Sequence, residues 1–317
     1  MIEIIVLFIG GAYVGWNIGA NDAANCIGTS VGSGLISYRK GILLVAVFVM
    51  VGALLQGHNV MKTIGKGIVT EQLPVTAVLA ALLSAGFFVT LATWFRLPVS
   101  TSQAIVGGVA GVGLSTGMAV NMAKLATIVQ IWVVCPFLTG LLAIALYKLL
   151  SLPVRKIQRP ELWDRVVGVL LVGSAAYVAF SLGANDVGNS VGPIANLGVQ
   201  ARWLSLLGGG ALAFGALTFG HRVTETVGSG ITTLDPLSAS AAQLAAALAV
   251  HFFSLLGIPV STSQSVVGAV VGVGLAHGIR AIERRRVVEI LGGWIATPTV
   301  AGLFSFGLYR LISLVLR

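Results

Sequence analysis

The chain has 317 residues, of which 56% are hydrophobic and only 9% charged, and it carries a formal net charge of +9. A soluble domain averages about 25% charged residues because its surface must be solvated, so this composition excludes one. The basic residues are scattered between apolar runs, where snorkelling and membrane topology place them, and are not striped on one face, which argues against a nucleic-acid partner.

Runs such as Ile42–Leu55, Val166–Leu182 and Ile290–Leu308 are charge-free and mostly apolar. A helix needs about 20 such residues to cross the hydrocarbon layer. Backbone groups in lipid must bond internally, and the alternation of a β-barrel is missing, so the spans are helices. The expected class is therefore an all-α polytopic membrane protein. Cys26 and Cys135 lie in apolar stretches and imply neither a metal cluster nor a disulfide framework. The histidines His58, His221, His251 and His277 lack metal-ligand spacing. The N-terminus, with Glu3 and no basic flank, does not read as a removable signal peptide.

In chain order, the first segment runs from about Ile4 into Gly19-Ala20-Asn21-Asp22. Asn17, Asn21 and Asn25 recur at i, i+4 and i+8, one polar stripe that must face protein or a water-filled cavity. Gly28–Gly34 reads as a break, and Arg39-Lys40 as a membrane-edge anchor. Segment two covers Gly41–Gln56. A mixed stretch, Gly57–Gln72, holds Lys62, Lys66 and Glu71, and Pro74 opens a span to Trp94. Pro98–Leu114 is short for a crossing and rich in glycine, which suits a re-entrant half-helix. Ala119–Leu150 is a long span with Pro136 as its expected kink.

Residues 152–164 read as a polar linker between repeats at 1–151 and 165–317. The second half repeats the order of the first at an offset of about 161 to 164 residues, a repeat of whole halves. Gly183-Ala184-Asn185-Asp186 answers the first motif. Pro259-Val260-Ser261-Thr262-Ser263-Gln264 answers Pro98-Val99-Ser100-Thr101-Ser102-Gln103, and Pro298 answers Pro136. Glu225 and Lys62 hold matching places, whether as a pair, a gate or interface residues. The basic linker and Arg284–Arg286 belong on the cytoplasmic side, and the N-terminus, without basic residues, outside. An odd number of crossings per half follows, with inverted repeats and both termini outside a cell membrane. The many small residues also suit helix packing within or between chains, a homo-oligomer included.

The two motifs carry opposite chemistry. A proline fits the first helical turn, where its missing N–H is not needed, and Ser or Thr beside it caps free backbone donors. The start of a helix, with unpaired N–H groups and a positive dipole end, is an anion site. Ser100, Thr101, Ser102 and Gln103, with Ser261, Thr262, Ser263 and Gln264, add neutral donors, so two facing helix ends would cradle a tetrahedral oxyanion. The bland alternative is a plain hydroxyl-capped helix. Asp22 and Asp186 lie deep in apolar segments, with no Lys, Arg or His within ten residues on either side. An unpaired charge there costs about 2.5–3.5 kcal/mol even on the insertion scale. A bound cation or proton is the simplest partner, with Asn21, Asn25, Asn185, Asn189 and unwound carbonyls as further hard ligands. A distant Lys or Arg is the other candidate partner.

These residues resemble the signatures of the inorganic phosphate transporter family, which includes sodium- and proton-coupled members, and the resemblance covers essentially the whole chain. It implies an inverted-repeat transporter that needs no cofactor. The two Ser/Thr/Gln ends would hold phosphate. Asp22, Asn25, Asp186 and Asn189 would hold Na⁺ or H⁺, and the aspartates would also meet the substrate. Many relatives have Thr-His where this chain has Ser-Gln at 102–103 and 263–264, which removes a titratable group and favours Na⁺. The chain is compact, without the large central loop of some relatives. Members of the wider family carry sulfate, which shares the shape of phosphate. A carboxylate can accept a hydrogen bond from a phosphate O–H but is repelled by sulfate, so Asp22 and Asp186 favour phosphate. Two other classes fit the residues less well: a membrane enzyme acting on lipid phosphates, for which Ser100 and Ser261 lack a nearby His, and a passive anion channel, which fixed positive charge would suit better than buried carboxylates.

Overall fold

The computed structural model describes residues 2–32, 34, 36–95, 99–195, 197–221, 234–276 and 284–315. Pro98, His277 and the stretch 222–233 with Glu225 lie outside them, and with Glu225 its relation to Lys62. The described residues fold almost entirely into helices: α1 (Ile2–Gly32), α2 (Tyr38–Gln56), α3 (His58–Lys62) running into a π-turn (Thr63–Gly67), α4 (Val75–Trp94), α5 (Thr101–Thr116), α6 (Met122–Val154), α7 (Pro160–Ala195), α8 (Ala201–Phe219), α9 (Pro236–Leu255), α10 (Thr262–Ala276) and α11 (Arg284–Val315). Seven of these, α1, α2, α4, α6, α7, α9 and α11, are long and apolar enough to cross a membrane. Their outward faces are apolar, as Phe137 and Leu141 on α6 and Ile295 and Leu303 on α11 illustrate.

Local chemistry sets the helix ends. Asn121 caps α6, its Oδ1 accepting the Lys124 N–H at 2.9 Å. Asp235 caps α9, with Oδ1 accepting from Leu237 N at 3.0 Å and Ser238 N at 3.1 Å, and Pro236 takes the first helical position. Gly117 stops α5 in the left-handed region at φ +76°, and the Met118 N–H returns to the Gly113 carbonyl at 3.1 Å. The break expected at Gly28–Gly34 lies at the far end of that range: α1 runs unbroken through its polar motif to Gly32, and Gly34 turns in the left-handed region at φ +77°. The chain leaves helix at Arg155 and re-enters at Pro160, with Glu161 favourably placed in the first turn of α7.

The short helices α5 and α10 pack against α4 and α9, so each pair forms a helical hairpin. Both hairpin tips are buried: Ser100 and Val260 are almost fully enclosed. At 16 and 15 residues, α5 and α10 are short for a crossing, as expected of re-entrant pieces.

Glycines decide which helices touch. A Cβ on Gly19 would lie closer than 3.0 Å to the Leu212 carbonyl of α8, and one on Gly183 as close to the Val49 carbonyl of α2. Gly52 meets Phe180 O and Gly215 meets Trp16 O in the same way. The four contacts are reciprocal between the halves and knit α1, α2, α7 and α8 together. A second reciprocal set seats α5 on α11, Gly107 against Pro298 O and Gly111 against Gly302 O. It seats α10 on α6 with Gly268 against Pro136 O and Gly272 against Gly140 O. Each hairpin helix therefore packs on the last long helix of the other half. Small residues permit such close backbone approach, and the resulting Cα–H···O contacts contribute about 0.5–1 kcal/mol each. Between α1 and α7 the direction is antiparallel: Gly11 faces Ile194 and Ser190, while Asp22 approaches Asp186 through a shared hydroxyl.

An alanine at Gly19 or Gly52 should therefore cost about 1–3 kcal/mol or prevent folding, although alanine is the better helix former by about 1 kcal/mol. Gly168→Ala, where a Cβ meets nothing within 4 Å, should be neutral or stabilising. Thermal melts of the detergent-solubilised variants check this.

Candidate substrate and ion site

The duplicated motifs converge where the hairpin tips meet α1 and α7. All fourteen side chains singled out in the sequence are buried there: Asn21, Asp22, Asn25, Ser100, Thr101, Ser102, Gln103, Asn185, Asp186, Asn189, Ser261, Thr262, Ser263 and Gln264. The Asn-Asp motifs sit inside unbroken helices, so no unwound carbonyls border them, contrary to the sequence expectation. Asparagine and aspartate do not break these helices because their side chains find partners on the hairpins.

Ser100 caps α5, its Oγ accepting the Gln103 N–H at 3.3 Å, and Ser261 does the same for Gln264 at 3.2 Å. Both helix N-termini therefore open inward, with their dipoles directed at the two carboxylates. Asp22 accepts from Asn25 Nδ2 at 2.8 Å and Ser263 Oγ at 3.3 Å on Oδ1, and from Thr101 Oγ1 at 2.9 Å on Oδ2. Asp186 accepts from Asn189 Nδ2 at 2.6 Å and Asn185 Nδ2 at 3.2 Å on Oδ1, and from Thr262 Oγ1 at 3.3 Å on Oδ2. The Thr101 hydroxyl is also 3.4 Å from Asp186 Oδ1, so it stands between the two carboxylates. It has one proton and can donate to one of them at a time. Every hydrogen-bond partner of either aspartate among the described residues is neutral, and no Lys or Arg side chain pairs with them.

The tips also grip each other. Ser102 Oγ donates to the Val260 carbonyl at 2.7 Å, and Ser263 Oγ lies 3.3 Å from the Val99 carbonyl. Asn189 Nδ2 donates to Ser102 Oγ at 2.7 Å, and Asn25 Nδ2 to Ser263 Oγ at 2.9 Å. Asn185 clips the second tip at two points, donating to Val260 O at 2.8 Å and accepting from Val260 N at 3.2 Å. Asn21 accepts from Val99 N at 3.4 Å and donates to Thr93 Oγ1 at 3.0 Å. Sequence reasoning missed Val99, Val260 and Thr93. The valines carried a signal, because they fall inside the duplicated hexapeptide, but they act through backbone atoms that a sequence does not display. Thr93 carried none.

Among the described residues, three buried oxygens at this site have no hydrogen-bond partner: Gln103 Oε1, Gln264 Oε1 and Asn189 Oδ1. Leaving a buried acceptor unpaired costs about 1–3 kcal/mol, so such oxygens are suited to a donor or a cation brought in from outside. The donor set of two carboxylates and amide oxygens fits a hard cation. The hydroxyls, glutamine amides and helix N-termini fit an oxyanion.

The model of the phosphate transporter family matches residues 18–305. The chain belongs to the phosphate transporter family. Its membership sets it among transporters and not among enzymes. A Pyrococcus abyssi protein that bears the name of a phosphate permease is 32% identical over 398 aligned positions, covering 98% of each chain. The chloroplastic inorganic phosphate transporter 2-1 of Arabidopsis thaliana is 29% identical over 96% of this chain and 72% of its own. Among solved structures, one described as the sodium-dependent phosphate transporter superposes with a TM-score of 0.90 at 30% identity, covering 99% of this chain and 100% of the other. These alignments also span the helices that carry the duplicated motifs.

Because Asn185 holds both backbone groups of Val260, Asn185→Ala should destabilise the protein by about 1–3 kcal/mol. Unfolding temperatures of this variant and the unaltered protein, compared in one detergent, test that loss.

Proposed function

We propose that the protein moves inorganic phosphate across a cell membrane together with sodium ions, by alternating access. One observation carries this reading: two buried carboxylates with only neutral partners face two helix N-termini. Cations bound at the aspartates would remove the cost of the buried charges and complete a site for an anion, so cation and phosphate favour each other's presence. Phosphate would rest on Ser100, Thr101, Ser102 and Gln103 with Ser261, Thr262, Ser263 and Gln264. Sodium would rest on Asp22, Asn25, Asp186 and Asn189. In this reading Asn21 and Asn185 hold the hairpin tips in place more than they bind ions. A phosphate O–H can donate to Asp22, Asp186 or an unpaired glutamine oxygen, and sulfate has no such proton, which supports phosphate as the cargo.

The reading includes two inverted repeats, 1–151 and 165–317, joined by a cytoplasmic linker at 152–164, with both termini outside. The antiparallel crossing of α1 and α7 and the reciprocal glycine contacts support it, as does the basic linker. Sodium as the coupling ion is supported by the solved relative described as sodium-dependent and by the absence of a titratable side chain from both hairpin hexapeptides.

Proteoliposomes given an inward Na⁺ gradient should concentrate labelled phosphate, and excess cold sulfate should not compete. Uptake driven by an H⁺ gradient alone would overturn sodium coupling, and strictly downhill uptake under every gradient would overturn symport. Asp22→Asn and Asp186→Asn should each lower uptake about tenfold or more, a loss of roughly 1.4 kcal/mol per decade, and weaken its dependence on Na⁺. Variants with normal uptake and unchanged ion dependence would contradict the assignment.

A further inference from the structure

Away from the central site, a cavity of about 400 Å³ lies between the end of α2, the start of α3 and the first turn of α8, lined by Leu54, His58, Ala201, Arg202 and Ser205. Its chemistry is one-sided. Arg202 and His58 are exposed, no lining residue is acidic, and neither side chain has a hydrogen-bond or ion-pair partner among the described residues. Ser205 is only 3% exposed, and its hydroxyl has no partner among the described residues, so it is a buried polar group turned to this cavity. Gln200 precedes α8 without a side-chain cap, and although its carbonyl takes the Trp203 N–H at 3.1 Å, the amides of the lining residues Ala201 and Arg202 stand at the uncapped start of the helix.

We propose that this crevice binds a phosphate group, either the phosphodiester of an anionic phospholipid or inorganic phosphate. A guanidinium fork matches phosphate oxygens in bidentate fashion, and the Ser205 hydroxyl and the amides at a helix N-terminus add neutral donors. The apolar wall supplied by Leu54, itself exposed on the lipid-facing side of α2 beside Leu55, suits an acyl chain leaving a headgroup at Arg202.

Binding there has a consequence for the core. His58 begins α3, whose inner residues Val60 and Met61, with Ile64 of the following π-turn, are buried against Gly188 and Gly192 of α7. Asn59 O and Thr63 Oγ1 lie against Gly257, at the tip of the second hairpin. A phosphate group held by His58 and Arg202 together ties α3 to α8, and through α3 it steadies the tip that carries Ser261 to Gln264.

The test uses the whole protein in detergent. In the lipid arm, native mass spectrometry after doping with phosphatidylglycerol should show retained adducts on the unaltered protein. Arg202→Gln or His58→Gln should lower their occupancy about fivefold, the effect of about one basic contact with an anionic headgroup. Arg39→Gln, an exposed arginine elsewhere, should not. In the second arm, equilibrium dialysis with labelled inorganic phosphate and no added lipid counts bound equivalents. One equivalent lost on Arg202→Gln identifies inorganic phosphate as the occupant, whereas loss of lipid adducts alone identifies the phospholipid. If neither changes, or if Arg39→Gln matches Arg202→Gln in the lipid arm, the proposal is overturned. The lipid arm needs no transport and no central site, so it stands or falls separately from the transport reading.

Discussion

Two carboxylates buried side by side in an apolar bundle form the constraint around which the rest is arranged. Asp22 and Asp186 repel each other, and their surroundings offer only hydroxyls and amides. Each neutral donor lowers the cost of its charge without cancelling it. The crossing of α1 and α7, the inward-facing starts of α5 and α10, and the oxygens of Gln103, Gln264 and Asn189, unpaired among the described residues, are gathered around this charge. A fixed Lys or Arg would stabilise the aspartates more simply, and in the proposed reading it would leave nothing for a passing cation to do.

The hydroxyl of Thr101 shows how finely the arrangement is balanced. It touches both carboxylates yet owns one proton, so one oxygen gains a donor only as the other loses it. Thr262, its counterpart, reaches Asp186 alone. The two halves thus supply the same residue types, yet the site they build is not symmetric. A chemically doubled site can therefore present two unequal sides to one ligand.

Much of this was legible in the sequence, because membrane burial makes polar residues conspicuous. The doubled motifs stand out against apolar runs, and the spans α2 and α4 fall within a few residues of the expected places. The errors have physical causes. Unwound carbonyls are expected beside the glycines of the Asn-Asp motifs, but in a packed bundle a glycine also brings two backbones together, as Gly15 and Gly19 do. The partnership of α5 with α11 and of α10 with α6 joins distant stretches through bare backbone, which leaves no pattern of side chains to read. Asparagine is ambiguous for another reason: the same amide can bind an ion or clip a hairpin, and only the position of Val99 or Val260 tells which.

The exchange of partners between the halves changes what counts as a unit of this molecule. The hairpin helix of the first half rests its glycines on the closing helix of the second, and the reverse holds as well. A chain severed between residues 155 and 159 would yield two fragments, each holding only part of every packed layer. Neither could assemble its own interior. They would behave as a pair of obligate subunits that happen to be synthesised as one polypeptide, with the peptide connection serving chiefly to keep them at equal number.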